Sequence, residues 1–147
     1  MSESPSPEHL RPAGVDDTTI EALGKLSEAL ECVEEARGLL YTFHRRSGEA
    51  DFLLGDAVDL LREAGQDALA DRIDRQLVGQ NVLEGRWTFQ IVEEYDDTYY
   101  SLFKEFDQLA RDELVGGRRH LFEAELKEAR RTHGAPHHSA APADESP

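Results

Sequence analysis

From Thr19 to Arg46 apolar residues return at intervals of three and four: Leu23, Leu26, Leu30, Val33 and Leu40, flanked by Ala22, Ala29 and Ala36. That spacing lines one side of an α-helix, and no two-residue alternation competes with it. Thr18 or Thr19 is expected to cap the helix, and Gly48 to stop it. Between Glu49 and Val78 a second helical stretch carries Leu53, Leu54, Ala57, Val58, Leu60, Leu61 and Ala64, then Leu69, Ile73 and Leu77. Gly65 is expected to kink or split it, because glycine inside a helix costs about 1 kcal/mol. Beyond Gly79-Gln80-Asn81 and Gly85, a third helix should run from Arg86 or Trp87 to about Val115. Its expected seam is Val92, Tyr95, Tyr99, Leu102, Phe106 and Leu109, widened by Ile91, Phe103 and Ala110. Gly116-Gly117 either ends or bends it, and a last short helix, Arg118 to about Arg131, carries Leu121, Phe122 and Leu126.

The three main segments hold about 28, 30 and 29 residues, or roughly 42–45 Å each at 1.5 Å per residue. Matched lengths and short connections predict an all-α fold: an up-down-up antiparallel bundle of three long helices with a short fourth C-terminal helix. The bundle is assigned to residues 16–132. Residues 1–15 and 133–147 are rich in Pro, Ser, Ala and acid without apolar period, and are read as disordered tails. His137-His138 lies in the second of these.

Charge and composition narrow the function classes. The net charge is −15, nearly all of it outside the tails, and such a field repels nucleic-acid phosphate and anionic membranes. No run of about 18 apolar residues is present to span a bilayer. The opening MSESPSPEHLRP does not read as a secretory signal, so a cytoplasmic location is expected. Cys32 is the single cysteine, lies off the seam and is read as a bystander thiol. Neither a nucleophile elbow nor a phosphate-binding glycine motif appears, so the chain is read as a binder in preference to an enzyme.

Two features carry candidate chemistry. The heptad that places Leu23 and Leu30 inside next selects Arg37 and His44, and the third seam reaches Glu113 and His120. In an up-down-up bundle the first and third helices are parallel, which would bring these polar residues to one pole. An enclosed Arg37 needs a carboxylate, with Asp56, Asp59 and Glu94 as candidates. The polar set reads as frayed, solvated helix ends, as an ion-pair network fixing register, or as a site. His44, Glu113 and His120 are the candidate metal set, suited to zinc or iron, although no Glu-x-x-His pair of the di-metal bundles is present. The same pole would gather Arg45-Arg46 and Arg118-Arg119, so Arg37, His44, Arg45, Arg46, Arg118, Arg119 and His120 are the candidates for holding an anion or small ligand.

The second feature is aromatic. Seven of the eleven aromatic residues fall between Trp87 and Phe106, interleaved with Glu93, Glu94, Asp96 and Asp97. One stripe cannot bury them all. Tyr95, Tyr99 and Phe106 are assigned to the core, leaving Trp87, Phe89, Tyr100 and Phe103 for a partner. The reading is a non-catalytic acidic helical protein acting by protein–protein interaction, in a regulatory or adaptor role, with another protein or itself as partner. The alternative is an anion- or metal-binding bundle at the Arg/His pole.

Overall fold

Gly48 does not interrupt the first helix. In the computed structural model, which describes residues 4–143, α1 runs unbroken from Asp17 to Glu63. The predicted stop and the start of the predicted second helix are therefore one element. The reason is packing: covered positions recur at 33, 37, 40, 44, 47, 51, 54, 58 and 61, a three-and-four spacing that passes across Gly48 without slipping. A row of that length outweighs the roughly 1 kcal/mol intrinsic cost of one glycine. Asp16, not Thr18 or Thr19, caps the helix: its carboxylate accepts the Thr19 amide at 2.8 Å. The end comes at Gly65, in the left-handed region at φ +77°, where the Gln66 amide reaches back to the Leu61 carbonyl at 2.8 Å.

After α1 come α2 (Asp67–Gln76), α3 (Thr88–Tyr95), a π-helical turn (Asp96–Tyr100), α4 (Ser101–Val115) and α5 (Leu121–Arg130). The fold is all-helical; among the described residues no strand forms, and Leu83 and Arg86 make an isolated bridge. Gly116 and Gly117 end α4, both at positive φ, with the Gly117 amide on the Arg111 carbonyl at 2.9 Å. No helix among the described residues is long and apolar enough to cross a membrane.

Two compact units make up the chain: Val33–Tyr100, and Met1–Cys32 together with Ser101–Pro147. In the first, Arg62 of α1 bonds Asp71 and Asp74 of α2 at 3.4 and 2.9 Å, and the Gly79 amide bonds Asp51 at 2.7 Å. Three further pairs set direction: His44 with Thr88, Arg37 with Asp96, and Glu34 with Tyr100. As numbers fall along α1 they rise along α3 and the π turn, so the segments are antiparallel. The parallel arrangement expected of the first and third helices is overturned. With α1 passing through Gly48, the first of the two expected reversals of direction is absent.

The other unit buries Ile20, Val115 and Leu121, with Val15 and Leu23 against them. Gly24 allows close approach of α5, since a Cβ there would lie 2.8 Å from Cγ of Phe122. Asp107 is buried and pairs with Arg111 at 2.7 Å, one helical turn along. Residues expected as a loose N-terminal tail are tied in: a 3-10 turn spans Pro7–His9, and Arg11 donates to Glu125 at 2.9 Å twice and to Asp17 at 2.7 Å. Past α5, His138 accepts the Thr132 amide at 3.1 Å. The tail assignments at residues 1–3 and 144–147 lie outside the described residues.

The π turn changes which aromatics face inward. A π turn holds one residue more than an α turn and so rotates the following side chains by about 100°. Within it the Thr98 hydroxyl donates to the Glu94 carbonyl. Beyond Tyr95 the covered positions become 96, 100, 103, 107 and 110 in place of 99, 102, 106 and 109. Tyr99, Leu102, Phe106 and Leu109, assigned to the seam, are instead 53%, 52%, 56% and 43% exposed. Tyr100 and Phe103, assigned outward, are half-buried.

Candidate interaction surface

Arg37, His44 and Asp51, on the covered row of α1, each have a hydrogen-bond partner. Arg37 makes a two-pronged contact with Asp96, Nε to Oδ1 at 2.7 Å and Nη2 to Oδ2 at 3.1 Å. Its guanidinium carbon lies 4.6 Å from the centroid of the Tyr100 ring and 5.2 Å from that of Tyr41. The hydrogen bond to Asp96 pushes the Arg37 pKa above its ordinary value, so this cation stays charged. Tyr100 in turn donates to Glu34 at 2.6 Å, and that bond raises its phenol pKa. His44 Nδ1 shares a hydrogen bond of 2.7 Å with the Thr88 hydroxyl at the first turn of α3. Arg37 is thus held in an ion pair that fixes the register of α1 against α3 and the π turn. The partner is Asp96, not Asp56, Asp59 or Glu94. Periodicity missed it because the π turn brings Asp96 inward.

One residue away on α1 lies a second row: Ala36, Leu39, Phe43, Arg46, Ala50, Leu53, Ala57 and Leu60. Every member is exposed, Leu39 by 66%, Leu53 by 60% and Leu60 by 63%. The spacing is again three and four, the signature of a seam that packs on another helix. Seven of its eight members are apolar, whereas the covered row includes Arg37, His44, Ser47 and Asp51. The sequence signal was present: Leu53-Leu54, Ala57-Val58 and Leu60-Leu61 are paired apolar residues, one of each pair belonging to each row. Treating Gly48 as a stop cut the outer row in half and hid it.

His44, Arg45 and Arg46 stand in the unit Val33–Tyr100, whereas Glu113, Arg118, Arg119 and His120 belong to the other. The shared Arg/His pole rested on parallel helices, and the antiparallel pairing removes that ground. No three His, Cys, Asp or Glu side chains are grouped to hold a metal ion among the described residues. Arg118 donates to the Leu10 carbonyl, and Arg46 to Glu49 at 2.6 Å.

Arg111, Arg118 and His120 do line a small cavity at the start of α5, of about 20 Å³. That volume holds about one water molecule, not a phosphorylated metabolite. The concavity lined by His44, Arg45, Arg46, Gly48, Glu49, Phe52 and Leu53 has all its walls on α1 and encloses nothing. Trp87 and Phe89 are 57% and 42% exposed and meet edge to face with centroids 5.4 Å apart.

No protein-family model, curated protein or solved structure matches this chain.

Proposed function

We propose that this chain is a non-catalytic, acidic helical protein that works by protein–protein contact, in a regulatory or adaptor role. The observation that carries the reading is the outer row of α1: seven apolar positions in heptad register, all exposed, beside a less apolar row that is covered. Isolated surface leucines are ordinary, but a contiguous apolar stripe with helix-packing spacing is what an interface requires. Trp87, Phe89, Tyr99, Leu102 and Phe106 supply further apolar area for the same purpose. Of the aromatics singled out from the sequence, Trp87 and Phe89 keep this role, while Tyr100 and Phe103 support the fold.

The test is association of the purified protein and of the Leu39→Glu, Leu53→Glu variant. Sedimentation velocity and native mass spectrometry should show complexes formed by the parent chain and lost by the variant, with helicity unchanged by circular dichroism. Equal association of the two proteins would remove the outer row from the account.

A further inference from the structure

We infer that the outer row of α1 is a homodimer interface, in which two copies of the helix pair antiparallel about a two-fold axis level with Gly48. The inference rests on the interaction reading above and names the partner as a second copy of this chain.

The row is complementary to its own reverse. In antiparallel helix pairs the two seam positions alternate, so a residue before the axis meets one equally far beyond it. About Gly48, Ala36 meets Leu60 of the second copy, Leu39 meets Ala57, Phe43 meets Leu53, and Arg46 meets Ala50. Three of these four layers set a long side chain opposite alanine, the alternation that lets layers interdigitate at helix separations of about 8–10 Å. An unrelated partner requires no such palindrome. A parallel pair would instead place Arg46 against Arg46 and leave alanine facing alanine at 36, 50 and 57.

Charge agrees at the centre. Arg46 and Glu49 are exposed and already bonded at 2.6 Å within one copy. Beside the axis, each guanidinium falls between its own Glu49 and that of the second copy, so two cations and two anions alternate. Farther out the acids oppose association: Glu35, Asp56 and Glu63 run along one edge of the row, and Glu35 faces Glu63 across the pair. Added salt should therefore tighten the dimer. Covering the row and its Glu49 edge removes on the order of 600 Å² per copy, about 1,200 Å² in all, at the lower edge of stable specific interfaces. Association is accordingly expected to depend visibly on concentration.

Cys32, exposed and the only cysteine, gives a direct test in the native sequence. It precedes the axis by sixteen residues, so spin labels on the two copies should lie about 48 Å apart at 1.5 Å per residue, as read by double electron–electron resonance. Arg46→Glu should weaken the dimer by about tenfold, and adding Glu49→Arg should restore it. A label separation below roughly 20 Å overturns the antiparallel register, since parallel helices 8–10 Å apart would place the labels side by side. So does a dimer indifferent to Leu53→Glu. A protein monomeric at every concentration also overturns the inference. If that monomer binds a different protein, and Leu39→Glu, Leu53→Glu abolishes the binding, the interaction reading stands and only the second copy is lost. If the variant changes no association of any kind, both fall.

Discussion

Two rows on α1, one residue apart, differ in a way opposite to simple hydrophobic sorting. The covered row holds Arg37, His44, Ser47 and Asp51 among its apolar members, while the bare row interrupts its apolar run only with Arg46. The same inversion appears on α4, where Asp107 is 2% exposed and its neighbour Phe106 is 56% exposed. Polar groups inside are costly unless paired, and here they are paired: Arg37 with Asp96, His44 with Thr88, Asp107 with Arg111. Such pairs specify one register, which a uniform apolar seam does not. The bare rows gain nothing within one chain and become favourable only when covered.

The sharpest way to break this comparison is on α4. Asp107→Ala removes one half of a buried ion pair and should cost about 3–5 kcal/mol, because Arg111 is left uncompensated. Phe106→Ala, one residue earlier and larger in volume, should change the stability of the isolated chain by no more than about 0.5 kcal/mol. Urea denaturation at low protein concentration compares the two, and equal losses would contradict the assignment of faces.

Next in size is the equivalent pair on α1. Val58 is 2% exposed, and Val58→Ala should cost roughly 2 kcal/mol. Leu53→Ala removes more carbon but should leave the dilute protein within about 0.5 kcal/mol, its effect appearing instead as weaker self-association in sedimentation.

The glycines of α1 sharpen the contrast on a smaller scale. A Cβ at Gly48 meets nothing within 4 Å, so Gly48→Ala should stabilise by about 0.5–1 kcal/mol through helix propensity alone. Gly24→Ala should lose that gain, because its Cβ meets Phe122 at 2.8 Å. Thermal midpoints of the two variants provide the comparison.

Smallest is the cap at Asp16. Hydrogen bonds from the Thr19 side chain and then its amide hold the Asp16 carboxyl below the usual aspartate value. A lowered folded-state pKa means that its contribution is present above about pH 4 and is lost as pH falls through the folded value. The difference in thermal midpoint between the parent and Asp16→Ala should therefore narrow in acid.

Much of this architecture was readable from spacing. The helical class, the inward run Leu23, Leu26, Leu30, Val33, Arg37, Leu40, His44 and the need of Arg37 for a carboxylate all follow from three-and-four periodicity and the cost of a buried charge. What escaped that reading has local physical causes. Glycine stops a helix only where packing does not span it, and at Gly48 the covered row spans it. A π turn shifts every later position by one, and no repeat on either side reveals it, so Tyr99 and Phe106 changed places with Tyr100 and Phe103. Asp96 stayed hidden for the same reason. The expected Arg/His pole was argued from parallel helices, and the absent turn at Gly48 removes that premise.

The central claim is that the bare row of α1 is a contact surface, and hydroxyl-radical footprinting across a dilution series tests it most directly. Leu39, Phe43 and Leu53 should lose labelling as the protein is concentrated, while Tyr41 and Phe52, exposed on another side of the same helix, should label equally throughout. Equal labelling of all five at every concentration, or protection confined to Tyr41 and Phe52, would contradict the account.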